Sequence, residues 1–151
     1  MYMGEESRSI EVLLVEDNPG DVRLLREAFW EVDVRHCLHT ASDGVEAIDF
    51  LRRREGYTHA PRPDLIVLDL NLPRKDGREV LAEIKRDARL RHIPVVVLSS
   101  STAAEDVAGA YDLHANCYVS KPVDFEQFVS VVRSIETFWF NTARLPTLQL
   151  A

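Results

Sequence analysis

Residues 63–77, PDLIVLDLNLPRKDG, constrain the fold more than any other stretch: an apolar run breaks off abruptly at a carboxylate. Positions 65–68 are too few for a buried helix and too apolar and β-branched for a loop, so they predict a strand buried on both faces. Asp69 then stands at that strand's C-terminal end. In an open parallel α/β sheet the carboxyl ends of the strands form the crevice where ligands sit, which makes Asp69 a site candidate. The plainer alternative is a capping or turn aspartate.

The rest of the chain repeats the pattern. EVLLV at 11–15 ends in Glu16 and Asp17, after which Asn18 and Pro19 open a helix with Val22, Leu25 and Phe29 on one face. Residues 35–40 are a weaker strand, with His36 and His39 on opposite faces and no nearby ligand partner, so both read as structural. Asp43 and Glu46 form a capping box before Ala47, Ile48 and Leu51, and a polar loop with two prolines follows at 53–63. Asp76 and Glu79 form a second box before Val80, Leu81 and Ile84. PVVVL at 94–98 is another buried strand, ending in Ser99, Ser100 and Ser101. Thr102 and Glu105 cap a helix carrying Val107 and Tyr111; residues 117–120 form a last strand before Lys121 and Pro122; Asp124 caps a final helix reaching about Asn141. Such alternation predicts an α/β fold, a doubly wound five-stranded parallel sheet with helices on both faces.

With 151 residues, 46% of them apolar, the chain suits one domain, expected over 10–141 with a disordered segment at 1–9 and a tail at 142–151. A net charge of −7 without a basic face argues against nucleic acid. The run Arg52, Arg53, Arg54 reads as the solvated end of a helix. Cys37 and Cys117 lack metal-ligand spacing and are expected to be reduced core thiols. With no bilayer-spanning segment or signal peptide, the expected location is the cytoplasm, away from any membrane.

Three strand ends thus deliver Glu16 with Asp17, Asp69 and Ser99 to one edge, and a fourth delivers Lys121. Clustered carboxylates stay ionised only beside a cation, and an all-oxygen set suits Mg²⁺. A lysine and a small hydroxyl opposite it suit a phosphoryl group, which points to phosphoryl transfer onto a carboxylate.

The acidic pair after the first strand, Asp69 in VLDLNLP, Ser99 after PVVVL, and Lys121-Pro122 together resemble the receiver domain of bacterial response regulators over roughly residues 11–141. The resemblance implies a flavodoxin-like strand order. It makes Asp69 the acceptor of a phosphoryl group from a kinase phosphohistidine, with Mg²⁺ held by Asp17, Asp69, the Asn71 carbonyl and, through water, Glu16. It also implies that Ser99 and Lys121 contact the phosphoryl group, that Ser99 and Tyr118 form a switch, and that Lys121-Pro122 is a cis turn. The protein would catalyse its own phosphorylation and slow dephosphorylation without being an enzyme in the usual sense. Two departures stand out: Glu16 where the family more often has aspartate, and the long loop 53–63. The segments around Asp69 and at 135–139 are similar to single-domain regulators that partner bacterial phytochromes, so a sensor histidine kinase of that type is the expected partner.

Rival readings are weaker. A haloacid-dehalogenase-type phosphatase needs a general acid two residues after its nucleophile, where Asn71 cannot donate a proton. The roughly ten residues after the final helix are too few for a helix-turn-helix output. No P-loop or glycine-rich dinucleotide turn follows Val15. A phosphorelay intermediate, passing the group on to a histidine phosphotransfer protein, stays open. Phe125, Phe128, Val129, Val131, Val132, Ile135, Phe138, Trp139 and Phe140 cover more of the last helix than one sheet face can use, which predicts a homodimer through the fourth helix, fifth strand and fifth helix, with the tail near Leu145 and Pro146 crossing over.

Overall fold

The computed structural model describes residues 9–31 and 35–146. Strands β1 (Ile10–Val15), β2 (His36–Ala41), β3 (Leu65–Leu68), β4 (Val95–Ser99) and β5 (Cys117–Ser120) alternate with helices α1 (Pro19–Trp30), α2 (Gly44–Arg52), α3 (Gly77–Arg86), α4 (Ala104–Asp112) and α5 (Phe125–Ile135). All neighbouring strands pair in parallel, in the order β2-β1-β3-β4-β5. The chain leaves β1 toward one edge and returns to build toward the other, so the order reverses between β1 and β3, and a crevice opens at their carboxyl ends.

Alternate residues of each strand feed two cores. Leu13, Val15, Ile66, Leu68, Val95 and Val97 pack with Ile48, Leu81 and Ile84 of α2 and α3. Val12, Leu14, Val67 and Leu98 pack with Leu25 and Phe29 of α1 and Phe128 and Val132 of α5. The three central strands are therefore buried on both faces, which is why they read as unbroken apolar runs.

Side-chain caps start α1, α2, α3 and α5: Asn18 accepts from Asp21 N at 3.1 Å, Asp43 from Glu46 N at 2.8 Å, Asp124 from Gln127 N at 2.9 Å, and Asp76 with Glu79 forms a complete capping box. The Asp43 box is only half made, because Glu46 reaches past Asp43 to accept from Ser42 N at 2.7 Å. Thr102 does not cap α4. The N-cap is Ala103, without a side-chain bond, and Ser101 Oγ instead accepts from Ala103 N and donates to Asp106.

Four further expectations are corrected. Cys37 is exposed, since it lies on edge strand β2 opposite Glu11, whereas Cys117 is half-buried against the second core. No peptide bond among the described residues is cis, so Lys121-Pro122 keeps the trans form that X-Pro bonds favour by about 0.5–1 kcal/mol. The last helix does continue to Thr142, but from Glu136 as a π-helical segment whose wider turn keeps Trp139 and Phe140 on the core side. Arg52 is not merely solvated: it ties α2 to α3 through Glu83 at 3.0 Å and Asp87 at 2.8 Å. His39 bonds Glu11 at 2.7 Å, and the His36 ring lies tilted against that of Phe29, with 5.4 Å between centroids. The segment 1–8 and the end of the tail, 147–151, lie outside the described residues.

Candidate functional site

The sheet ladder runs past the strand ends and fixes the site residues by their backbones. Glu16 N donates to Ala41 O at 3.0 Å, Asp69 N to Val15 O at 2.9 Å and Lys121 N to Ser99 O at 2.8 Å. The main chain at these positions is held in register, which is the positioning a reaction site needs. The loop after Asp69 is held from below by two helix starts. A Cβ on Gly44 would stand 2.0 Å from Lys75 O, and one on Gly77 would stand 2.3 Å from Asp69 O. Only glycine lets α2 and α3 approach that loop so closely. Arg74, at φ 63°, grips Asp43 through Nε at 2.9 Å and Nη2 at 3.2 Å and closes the loop over the N-terminus of α2.

Glu16, Asp17 and Asp69 each bring a carboxylate oxygen to within 4.8 Å of the other two. Glu16 is only 2% exposed and Asp69 5%, while Asp17 is open to solvent. Lys121 Nζ lies among them, 2.8 Å from Glu16 Oε1, 3.4 Å from Asp69 Oδ2 and 2.8 Å from Asp21 Oδ2. Burial pushes the Glu16 carboxyl up to about 7 and Asp69 adds to the rise, against the lowering pull of Lys121 and of Asn18 N. Burial alone would lower the Lys121 ammonium, but its bonds to Asp21 and Glu16 and the charges of Glu16 and Asp69 outweigh that and raise it. The lysine is a fixed cation within an acidic cluster.

The set fits a hard divalent ion. All donors are oxygens, and Asp17 has no hydrogen-bond or ion-pair partner among the described residues, so it is free to ligate. Asn71, also exposed, follows on the loop, its N–H donating to Asp69 Oδ1 at 3.3 Å.

Ser99 is fully buried at the end of β4, its Oγ accepting from Ser101 N at 3.2 Å. The Tyr118 hydroxyl donates to Ser101 O at 2.8 Å, so the ring lies against the β4–α4 loop. All seven residues singled out from the sequence, Glu16, Asp17, Asp69, Asn71, Ser99, Tyr118 and Lys121, therefore lie at this edge or on the loop directly beside it.

Sequence reasoning missed Asp21, which lies in the first turn of α1 and looks like an ordinary partner of the helix dipole. It also missed the bridge Ser101–Asp106–Arg78, at 2.5 and 3.0 Å, whose partners come from three elements and carry no shared spacing. The signal available was a surplus: Asp21 is a fourth carboxylate beside a lone lysine.

Comparison with known proteins agrees with this geometry. The response regulator receiver domain family matches residues 12–133. Response regulator Rcp1 of Synechocystis sp. is 47% identical over 145 residues, which cover 95% of this chain and 99% of that protein. The phosphorylated cyanobacterial phytochrome response regulator RcpA superposes with a TM-score of 0.89 at 51% identity, covering 93% of this chain and 100% of that one. The Mn²⁺-bound form of Rcp1 gives 0.86 at 46% identity, covering 91% and 99%. Divalent-metal binding by so similar a protein matches the acidic cluster here. The chain belongs to the response regulator receiver domain family, the phosphoacceptors of two-component signalling.

Proposed function

We propose that Asp69 accepts a phosphoryl group from the phosphohistidine of a sensor kinase, with Mg²⁺ as the ion held by Glu16, Asp17, Asp69 and the Asn71 carbonyl. The observation that carries this is the convergence of three carboxylates within 4.8 Å of one another, two of which, Glu16 and Asp69, are held by one largely enclosed lysine, Lys121. An Asp69 oxygen attacks phosphorus as the P–N bond breaks, the electron pair leaves with the imidazole, and an acyl phosphate remains. A bound divalent ion neutralises the phosphoryl oxygens. Lys121 pairs with the product's charge and the Ser99 hydroxyl donates to one of its oxygens. Glu16, already held by Lys121 and Asn18 N, tunes the cluster, and Asp17 does more of the metal holding. The chain's own residues also support the slow attack of water that removes the group. Ser99 and Tyr118 then report the phosphorylated state.

The donor that fits best is a phytochrome-type histidine kinase in the cytoplasm; the phytochrome regulator RcpA has the same fold at 51% identity, and no described helix is long and apolar enough to cross a membrane. The receiver unit spans 10–141. Output runs through protein contacts, including a homodimer over α4, β5 and α5. Phe138 is 50% exposed there, beside an apolar cleft of about 560 Å³ lined by Val119, Val131, Ile135 and Trp139.

The test is transfer from a phosphorylated phytochrome kinase to wild type and Asp69→Asn, in Mg²⁺ and in EDTA. Comparatively acid-stable, hydroxylamine-sensitive phosphate should appear only in wild type with metal. Equal labelling of Asp69→Asn overturns the assignment, and a monomer at tens of micromolar in light scattering, phosphorylated or not, overturns the dimer.

A further inference from the structure

At the other end of β3 from Asp69, where the loop 53–63 meets the C-terminal ends of α2 and α3, lies a cavity of about 190 Å³. It is lined by four arginines, Arg52, Arg53, Arg62 and Arg89, against one acidic residue, Asp87, with Leu51 and Leu90 beside them. This concentration of positive charge occurs in a chain whose net charge is −7.

The charges do not cancel. Arg52 is committed to Glu83 and Asp87. Arg53, Arg62 and Arg89 form no ion pair among the described residues. Two of them are nevertheless anchored, Arg53 Nε donating to Ala60 O at 2.9 Å and Arg62 Nη1 to the backbone carbonyl of Arg89. Each anchor uses one of five guanidinium N–H donors and leaves the rest for another partner. Burial lowers the Arg62 pKa and the Arg53 charge lowers it further, with Asp64 and Asp87 pulling the other way. A desolvated cation facing a like charge gains from an anion placed between them.

Size and shape narrow the ligand. Pockets for drug-sized molecules run from about 300 to 1,000 Å³, so this one is too small for a nucleotide and suits a compact group. Planar guanidinium forks match tetrahedral oxyanions in bidentate fashion, and three unpaired cations favour a dianion over a monocarboxylate. We propose that this cavity binds a phosphate group, free or as the head of a small phosphomonoester, through Arg53, Arg62 and Arg89.

The test is amide-resonance mapping with calorimetry on the full chain in EDTA, where the carboxylates around Asp69 repel oxyanions. Inorganic phosphate, glycerol 3-phosphate and acetate are the probes, at ionic strength held constant with chloride. Saturable binding of inorganic phosphate below about 20 mM is expected, with shifts confined to the neighbourhood of Arg53, Arg62 and Arg89 and with acetate at least about ten-fold weaker. Tighter binding of glycerol 3-phosphate assigns the site to an ester, and equal or weaker binding assigns it to the free anion. Arg62→Gln and Arg89→Gln should each weaken phosphate about ten-fold, Arg62→Lys by less, and the exposed Arg91→Gln not at all. No saturation, shifts spread over the surface or centred on Lys121, or an equal loss in Arg91→Gln overturns the proposal. The wild-type map decides this even if a variant misfolds.

Discussion

Replacing Lys121 by methionine removes the cation from the acidic cluster while keeping an unbranched stem. The lost ammonium lies 2.8 Å from Glu16, 2.8 Å from Asp21 and 3.4 Å from Asp69. At an effective dielectric near 20, one unit-charge pair about 4 Å apart amounts to about 4 kcal/mol. Solvent at Asp21 trims that pair, but Glu16 has almost no solvent, and stripping the partner from a buried charge costs roughly 3–5 kcal/mol. Protonation limits the loss. Burial already raises Glu16 from 4.5 to about 7 with the lysine present, and without it the carboxyl holds its proton to still higher pH. Folded Glu16 then binds more protons than the unfolded glutamate above pH 4.5, so stability falls as pH rises toward the folded pKa and remains low above it. Lys121→Met should be destabilised by about 1 kcal/mol at pH 6 and about 3 kcal/mol at pH 8 in urea titrations without metal. Mg²⁺ should restore much of this and should bind the variant more tightly than wild type, because a competing cation is gone. A loss that does not change with pH, or weaker Mg²⁺ binding in the variant, refutes the reasoning.

Asp17→Asn should weaken Mg²⁺ and phosphotransfer by ten-fold or more, and Glu16→Gln by only about two- to three-fold, since Glu16 is already engaged by Lys121 and Asn18 N; the reverse order in a metal titration refutes the roles. Gly77→Ala must open a contact of 2.3 Å with Asp69 O, so it should cost about 2–4 kcal/mol in chemical denaturation and slow phosphotransfer as well; wild-type stability would show that the loop yields freely. Tyr118→Phe loses the bond to Ser101 O, about 1 kcal/mol, and should leave the labelling rate of Asp69 unchanged while altering partner binding or dimerisation; a slowed labelling rate with unchanged association refutes that division.

The fold was legible because its inner strands are buried on both faces and therefore stand out as apolar runs, and because Asn18, Asp43, Asp76 and Asp124 announce their helices. The acidic cluster was legible for a related reason: Glu16, Asp17 and Asp69 each lie within two residues of a strand's end, and parallel pairing brings such positions together. What stayed hidden depends on contacts that no spacing encodes. Asp21 is distinguished from any acid in a first helical turn only by the reach of Lys121. Cys37 looks apolar in sequence, and only the edge position of β2 and its pairing opposite Glu11 expose it. The change from α to π geometry at Glu136 follows from how Trp139 and Phe140 meet the core, a tertiary demand that overrides helical spacing.

Those hidden contacts close a ring around the site. From Asp69 the chain runs through its loop to Asp76, which caps α3 and binds Arg78 at 3.3 Å; Arg78 reaches Asp106 of α4 at 3.0 Å, and Asp106 accepts from Ser101 Oγ at 2.5 Å. Ser101 N in turn donates to Ser99 Oγ, and the carbonyl of Ser99 receives Lys121 N. Both arms of the ring thus end on Ser101, the residue whose carbonyl holds Tyr118. If Ser99 turns its hydroxyl toward a phosphoryl group on Asp69, as proposed, the Ser101 N–H loses its acceptor while the Ser101 side chain stays bound to α4. The strain falls on one short loop, and two groups can register it: the Tyr118 ring and the N-terminal turn of α4. The Arg78–Asp106 pair is 30–40% exposed and so contributes little energy, but it fixes which helix moves with the loop. A weak contact of that kind suits a switch better than a strong one, because a conformational difference of a few kcal/mol is all that one phosphoryl group's new hydrogen bonds can overturn.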